Sequence, residues 1–502
     1  MSKSIIIIGA GVAGLAAGCY AQMNGFRSKI FELHEMPGGL CTAWERKGYT
    51  FDGCIHYLFG SGPGQPFYHV WEELGAIQDR AMIHHDEFMR ITDGKGKTLI
   101  VYCDPDQLEA HMKELSPRDG KLIEAFIRGI HTFKNFDMAM LQEQPRSTMG
   151  PNEWRDFGLK VLPFARPLAR WGMMAAQNFG ESFRDPFLRR AVPLMFAWPE
   201  CPVMVGQSLL AYLHTHNAGF PTGGSLEFAR AIERRYLALG GEIQYQAQVQ
   251  KIIVEDGRAT GVVLYDDSVH HADYVISAAD GRGTIFDMLG GQFVDKDIHR
   301  TYDGQLPIHS MIQVSLGINR DLSAEPHWVQ YLLDQPMTIG GMVHDTIGVK
   351  HYGFDPSLAP PGKAAVIVML KSEHSYWQRI YGRKLYDTEQ IQVCEQITGF
   401  LEHIYPDITQ DIEVKDVATP MSYERYTGNW LGSTCGWLLT KDTMRMMIQG
   451  LTKTLPGLNG FYMAGQWVEP GGSVPVVAMS GRNAIQLICH EEGREFSALT
   501  PR

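Results

Sequence analysis

Three observations predict an α/β fold with two domains for this chain of 502 residues. A short apolar run followed by glycines and a helical stretch opens the chain. Apolar, strand-like segments return after a long helical region, and a glycine-rich turn precedes a helix near the C-terminus. Because strands alternating with helices are typical of parallel sheets, we expect a nucleotide-binding domain that is discontinuous in sequence.

The first segment has the pattern of a Rossmann-like βαβ unit. The run from Ile5 to Ile8 is β-branched and suits a strand that is buried on both faces. Gly9, Gly11 and Gly14 then occupy the three positions of G-x-G-x-x-G. They allow, in turn, a tight turn, the close approach of a pyrophosphate and the close packing of helix on strand. The N-terminus of that helix is predicted to attract the phosphates.

An acidic residue ends the second strand of this unit. That strand runs from Lys29 to Glu32, and Glu32 lies 18 residues beyond Gly14. A carboxylate at this place can accept hydrogen bonds from both hydroxyls of an adenosine ribose, and it disfavours a 2′-phosphate. The nucleotide is therefore predicted to be FAD or NAD rather than NADP.

Composition excludes several classes of protein. The chain is 44% hydrophobic and 20% charged, as expected for a soluble globular protein, and its net charge of -11 argues against binding nucleic acid. Its 8 cysteines include no C-x-x-C pair, which predicts reduced thiols, a cytoplasmic location and no metal site. We see no cleavable signal pattern and no apolar stretch long enough to span a bilayer.

The region from about Leu74 to Ala218 is predicted to be a mostly helical insertion. Within it, residues 155–179 mix basic with apolar side chains, and Pro163 and Pro167 exclude one continuous helix. Two interpretations remain open. The stretch is either a membrane-facing surface, which would make the protein peripheral to a membrane, or a lid or domain-packing face.

Two further stretches carry a resemblance to a known family. The segment from Glu32 through Gly38, Gly39 and Leu40 to Phe51-Asp52-Gly53-Cys54-Ile55-His56-Tyr57 resembles the opening of a group of FAD flavoproteins. That group includes bacterial phytoene desaturases, plant carotenoid isomerases and retinol saturases. The C-terminal run 460–475 is similar to the last FAD motif of the same group. The resemblance implies FAD as the cofactor.

The resemblance also implies site residues. The residues that it assigns to the cofactor, together with those of the first segment, are Gly9, Gly11, Gly14, Glu32, Gly38, Gly39, Leu40, Val249, Gly465, Gln466, Gly472, Ser473 and Val474. Val249 would contact the adenine through its backbone, with ordinary sheet packing as the alternative, and Gln466 stands where many relatives carry an acid. His56 and Tyr57 are the polar candidates near the reacting carbons, although a histidine in such a turn is often satisfied by backbone.

These assignments divide the chain into two domains. We expect a Rossmann-like FAD-binding domain at residues 1–75, 219–295 and 455–502. The mixed-sheet substrate-binding domain, with its helical insertion, would then comprise residues 76–218 and 296–454. A cluster of tyrosines and tryptophans at 423–437 fits either the wall of an apolar pocket or a core.

The resemblance implies an FAD-dependent oxidoreductase that acts on carbon–carbon bonds of a hydrophobic polyene isoprenoid by desaturation, saturation or cis-trans isomerisation. An amine oxidase, which shares the FAD architecture, is one alternative, and a non-catalytic carrier of flavin or lipid is another. The chain contains no second glycine fingerprint for NAD(P)H, so the electron donor or acceptor stays open.

Overall fold

The computed structural model describes residues 2–304, 306–449 and 451–501. Its α-helices are α1 Val12–Met23, α2 Tyr68–Glu73, α3 Pro105–Leu115, α4 Gly120–Phe133, α5 Pro151–Val161, α6 Ala165–Trp171, α7 Ala176–Glu181, α8 Pro186–Ala191, α9 Val203–His214, α10 Gly224–Ala238, α11 Lys296–Tyr302, α12 His374–Gly382, α13 Tyr386–Ile404, α14 Pro420–Thr427, α15 Lys441–Gln449 and α16 Val474–Glu491. Its strands are β1 Ser4–Ile8, β2 Arg27–Phe31, β3 Ala43–Arg46, β4 Tyr49–Asp52, β5 Leu58–Phe59, β6 Met82–Ile83, β7 Glu87–Asp93, β8 Thr98–Tyr102, β9 Ala218–Pro221, β10 Glu242–Gln244, β11 Val249–Glu255, β12 Arg258–Leu264, β13 Val269–His271, β14 Tyr274–Ser277, β15 Met311–Ile318, β16 Trp328–Ile339, β17 Met342–His351, β18 Ala364–Lys371, β19 Ile412–Ala418 and β20 Phe461–Met463.

A five-stranded parallel sheet, in the order β10-β2-β1-β14-β20, forms the nucleotide-binding half. Its strands come from three distant stretches of the chain. Ile5 and Ile7 of β1 face the layer of α1, α10 and α16, whereas Ile6 and Ile8 face the antiparallel layer β11-β12-β13. Because both faces of β1 are covered, its uniformly apolar sequence is the one that a central parallel strand requires.

A second, mixed sheet of seven strands has the order β19-β15-β18-β17-β16-β7-β8. Its neighbouring strands are antiparallel except for the parallel pair β16 and β7. Side chains from α12 and α13 fill one face, and the hairpin β3-β4 packs on the other. The two strands predicted for this sheet, at 308–319 and 364–371, are confirmed as the adjacent strands β15 and β18.

The helical insertion is confirmed as α3 to α9, between β8 and β9, but its predicted start near Leu74 is wrong, because β6, β7 and β8 at 82–102 pair with β9 and with the second sheet. The predicted break is present at Pro163, because α5 ends at Val161 and α6 begins at Ala165, whereas Pro167 lies in the first turn of α6. Apolar side chains of the insertion belong to the same continuous core as those of α1, α10 and α16. Among the described residues, no helix is both long and apolar enough to cross a membrane.

Helices α1 and α16 make an unusually close contact through glycine. A Cβ atom at Gly481 of α16 would lie 2.2 Å from the carbonyl oxygen of Ala13 in α1. At Gly14 a Cβ would lie 2.0 Å from the carbonyl oxygen of Gly9, which explains the third glycine of the motif. The absence of side chains therefore lets both helices pack backbone to backbone beside the sheet.

We predict that Gly481→Ala destabilises the protein by about 1–3 kcal/mol, because the new methyl group forces α16 away from α1. Urea unfolding of the purified protein measures this loss. Gly399→Ala in α13 is the matched control, since a Cβ there meets no atom within 4 Å. Alanine is also the better helix former, so the control should be neutral or stabilising. Equal destabilisation by the two variants would contradict the close contact.

Candidate active site

A cleft with a volume of about 310 Å³ lies at the carboxyl end of the parallel sheet. Gly11 and Val12 line it where α1 begins, and Gly472 and Val474 line it where α16 begins. The close contact of the two helices brings these N-termini to one cavity. Free N–H groups and the positive ends of two helix dipoles therefore face the same space.

Most of the residues predicted for the cofactor line this cleft. They are Gly9, Gly11, Glu32, Gly38, Gly39, Leu40, Val249, Gly465, Gln466, Gly472 and Val474. Gly14 and Ser473 are not among the lining residues; Gly14 serves helix packing, and Ser473 is the N-cap of α16. Direct contact of these side chains and backbone groups with a cofactor stays a prediction.

Two glycine turns make the floor of the cleft. Gly9 has a φ of +98° and Gly38 a φ of +109°, which side chains rarely tolerate. A Cβ at Gly38 would also lie 2.3 Å from the carbonyl oxygen of Cys41. The backbone N–H of Gly38 donates to the carbonyl of Ala10 at 2.9 Å and so joins the two turns. Bare backbone is thus exposed where phosphates would bind.

Glu32 is held at one end of the cleft by backbone donors. Its carboxylate accepts hydrogen bonds from the N–H of Ala10 at 2.5 Å and from the N–H of His34 at 2.8 Å. Burial raises the pKa of Glu32 above its ordinary value, while these N–H groups oppose the rise. The carboxylate is therefore fixed in place before any ribose arrives, as its predicted role requires.

Sequence analysis missed two polar residues of the cleft. The carboxylate of Asp280 accepts from the N–H of Gly283 at 2.6 Å and from that of Trp430 at 2.8 Å, and burial raises its pKa to about 6. The side-chain oxygen of Asn429 accepts from Gln466 Nε2 at 3.0 Å. Asp280 could have been found, because it follows a buried strand at the edge that also holds Gly9.

The aromatic segment at 423–437 lies partly in the core and partly at the wall of a cleft. Trp437 is fully buried and packs edge-on against Trp467, with ring centroids 4.9 Å apart, so it fills core. Tyr423 and Tyr426 instead line a second cleft of about 840 Å³. Both clefts share Leu40 as a lining residue. One end of the segment therefore stabilises the fold, and the other borders open space.

A buried ion pair anchors the loop that precedes α16. Lys453 donates to Glu469, and both side chains are almost fully buried. Gln142 of the helical insertion donates to the second oxygen of the same carboxylate at 2.7 Å. Breaking a buried ion pair costs about 3–5 kcal/mol. Glu469, fixed by this pair, in turn joins the loop before α16 to the insertion through its hydrogen bond with Gln142.

The two candidate catalytic residues lie beside the cleft rather than in its lining. Cys54, two positions earlier, does line the cleft. The Nδ1 atom of His56 is 3.0 Å from Nζ of Lys350, which the sequence analysis did not single out. The ring of Tyr57 packs against Phe59 at a centroid distance of 5.4 Å. A catalytic role for either residue stays a prediction.

The residues of the cleft suit FAD. Glycine turns expose backbone for the pyrophosphate, Glu32 is placed for the ribose, and the start of α16 faces the far end. A family model described as an NAD(P)-binding Rossmann-like domain matches residues 7–74. The fold and the cleft together define a dinucleotide-binding α/β protein whose cleft fits FAD.

Comparison with curated proteins confirms the family resemblance over nearly the whole chain. A chloroplastic prolycopene isomerase of Daucus carota is 24% identical over 516 residues, which cover 98% of this chain and 80% of that protein. A lycopene-forming phytoene desaturase of Pseudescherichia vulneris is 25% identical over 518 residues, which cover 97% of this chain and 99% of that protein.

A solved structure shares the fold. A double mutant of putrescine oxidase superposes with a TM-score of 0.61 at 14% identity, covering 97% of this chain and 99% of that one. At this identity the likeness concerns architecture alone. It agrees with the expectation that amine oxidases share the FAD-binding arrangement.

We predict that Glu32→Gln weakens FAD binding roughly tenfold to a hundredfold, because the ribose hydroxyls lose a charged acceptor. Titration of the apoprotein with FAD, followed by quenching of flavin fluorescence, measures the dissociation constant. The control is Glu35→Gln, three residues further on and exposed. An unchanged dissociation constant in Glu32→Gln would contradict the assignment of Glu32 to the ribose.

Proposed function

We propose that this protein is an FAD-dependent oxidoreductase that acts on carbon–carbon bonds of a long, apolar polyene isoprenoid of the carotenoid or retinoid kind. The observation that carries the proposal is similarity along nearly the full chain to both desaturases and isomerases of such compounds. The relatives include members that change the oxidation state of a polyene and members that change only its geometry. The proposal therefore names the bond type and leaves the direction to experiment.

When bound, FAD supplies the exchange of a hydride or of single electrons. The chain contributes binding, orientation and electrostatics. The N-terminus of α1 and the turn at Gly11 would hold the pyrophosphate, and Glu32 the adenosine ribose. The N-terminus of α16 would stabilise negative charge at the opposite end without a charged side chain.

The second cleft supports an elongated apolar substrate. Its lining includes Met36, Trp44, Met421, Tyr423 and Tyr426. Aromatic and thioether side chains offer polarizable surfaces against which a polyene can pack. Since this cleft meets the cofactor cleft at Leu40, a polyene lying in it would reach the side of a bound cofactor.

The function is tested by anaerobic mixing of the flavoprotein with phytoene, prolycopene, retinol, a polyprenol and putrescine. We expect a polyene either to change the flavin spectrum with a product two mass units away, or to change its retention time with no change of mass. The first outcome indicates desaturation or saturation, and the second isomerisation. Bleaching of the flavin by putrescine alone would replace the proposal by the amine-oxidase alternative. If no compound changes the flavin spectrum and every polyene keeps its mass and its retention time, a non-catalytic carrier would be favoured.

We further propose that helices α5 and α6 contact an anionic membrane from which the substrate is taken. Trp154 is 47% exposed, Leu159 61%, Leu162 67% and Met173 61%. Basic side chains accompany these apolar ones on the same stretch: Arg155, Lys160, Arg166 and Arg170. Exposed apolar side chains among cations are typical of interfacial helices.

Replacement of both Leu159 and Leu162 by serine should weaken binding to vesicles that contain phosphatidylserine roughly tenfold or more, because two apolar side chains no longer leave water. Co-sedimentation of the flavoprotein with vesicles measures this. The control is Leu237→Ser on α10, which replaces a leucine that is 46% exposed on another surface. Equal binding by wild type and the double variant would leave the lid or packing-face interpretation.

A further inference from the structure

Lys350 is a lysine buried in the middle of a sheet. It lies on β17, opposite Trp328 of β16 and Ile367 of β18, and it is only 4% exposed. Lysines are rarely buried without an acidic partner. In the described part of the chain, however, its ammonium has a histidine at hydrogen-bond distance rather than a carboxylate. The charge of Asp52, which makes no hydrogen bond to Lys350 Nζ in the described residues, offsets only part of the cost of burying this ammonium, which suggests a use for it.

The surroundings of Lys350 leave one hydrogen-bond acceptor. Its Nζ lies over the rings of Tyr352, Trp328 and Phe220, 5.0, 5.3 and 5.8 Å from their centroids. The faces of aromatic rings attract a cation, but they are weak hydrogen-bond acceptors. The Nδ1 atom of His56, at 3.0 Å, is the remaining partner. While Lys350 is protonated it can only donate, so Nδ1 accepts and His56 carries its own proton on Nε2.

The turn that carries His56 is fixed in place. The carboxylate of Asp52 accepts from the N–H of Cys54 at 3.0 Å and from the hydroxyl of Ser225 at 2.7 Å. Gln313 of β15 donates to the Asp52 carbonyl at 3.1 Å. Asp52 is therefore engaged by its own turn and by the start of α10, and it is not free to pair with Lys350.

His56 lies beside the cofactor cleft. It is only partly covered, as is Trp328, whose ring centroid is 5.2 Å away. Desolvation by burial, helped by Lys350, lowers the pKa of His56 well below its ordinary value. Cys54, two residues earlier in the same turn, lines the cofactor cleft.

We propose that His56 and Lys350 form a proton relay to a substrate carbon, in which Lys350 is the positioning residue that sets the tautomer of His56. The inference rests on the proposed function, because it supplies the proton that accompanies hydride transfer. Lys350 lies 294 residues after His56 in the sequence.

Atoms and electrons balance whether the relay runs towards saturation or towards desaturation. In saturation the π bond would break: one carbon would gain a hydride, which reduced FAD would supply when bound, and the other would gain the Nε2 proton of His56. Nδ1 then takes a proton from the Lys350 ammonium, so that a neutral imidazole and a neutral amine remain. In desaturation each transfer is reversed, and the electron pair of the deprotonated C–H bond becomes the new π bond.

The other titratable groups around Lys350 do not compete for this proton near neutral pH. Burial lowers the pKa of Lys350 to about 7, and Asp52 opposes that shift. Burial also lowers the pKa of His85 and of His351 to about 4 and that of His327 to about 2. It raises the pKa of the hydroxyl of Tyr352 well above its ordinary value. Lys350 is thus the group of this set that changes protonation in the physiological range.

The test compares wild type with Lys350→Met, His56→Gln and the double variant, all loaded with FAD. The probe is the polyene that changes the flavin spectrum of the wild type. We expect each single variant to slow that change roughly 100-fold, and Lys350→Met to remove a pH dependence centred near 7. The double variant should be no slower than His56→Gln, since the two residues act as a unit. The control is Lys415→Met, on β19 of the same sheet and exposed.

A second measurement needs no substrate. At a pH below 7, where Lys350 is an ammonium, nitrogen-15 spectra of histidine-labelled wild type, assigned with His56→Gln, should show His56 protonated on Nε2, and Lys350→Met should mix the two tautomers. Protonation of wild-type His56 on Nδ1 at that pH, or an unchanged rate and pH profile in Lys350→Met, would overturn the relay while leaving the proposed function intact. A wild type that is inert towards every polyene would instead overturn the proposed function, and the relay with it.

The stability of the wild type provides a third readout. The pKa of Lys350 is depressed in the folded state, from 10.5 to about 7. The unfolded chain therefore binds the extra proton between these values, and folding stability falls as the pH is lowered from about 10 to about 7. Lys350→Met lacks this titrating amine. Its stability relative to wild type should therefore grow as the pH is lowered from about 10 to about 7. A constant difference would contradict a buried, uncompensated ammonium.

Discussion

The close approach of α1 and α16 is the constraint on which the rest of the structure depends. Glycine at position 481 lets the two backbones touch, and glycine at position 14 lets α1 lie against β1. Only with both contacts can the N-termini of the two helices open into one cleft. In the proposed function, an anionic cofactor binds along these backbone donors, with Glu32 as a charged contact for its ribose. Because FAD is too long to be bound at a single helix N-terminus, its binding requires two helix N-termini that face the same cleft.

This convergence explains why the nucleotide-binding half is assembled from three distant parts of the chain. The sheet requires β20 beside β14, and α16 follows β20 directly. The helical insertion contributes to the same core and is tied to the loop before α16 by Gln142 and Glu469. Changes in the insertion can therefore reach the flavin end of the cleft through a contiguous set of contacts.

Buried polar groups mark where the protein gives up stability for function. Glu32 and Asp280 are buried and have raised pKa values, yet each is satisfied by backbone N–H groups. The opposite charges of Lys453 and Glu469 compensate each other in an ion pair. Lys350 differs from these groups, because among the described residues the partner at hydrogen-bond distance from its Nζ is a histidine rather than a carboxylate. That difference distinguishes a group that is available for chemistry from groups that hold the fold.

The sequence by itself determined the parallel βαβ unit, the glycine turns, the helical insertion and the two strands of the second sheet. These features depend on local demands: an apolar run for a doubly covered strand, glycine where φ is positive, and proline where a helix ends. Only the tertiary structure decided that Asp280, Asn429 and Trp430 meet at the cleft, and that Lys350 reaches His56. Such contacts depend on strand register and on the crossing of distant segments, for which no short pattern of residues is a signal.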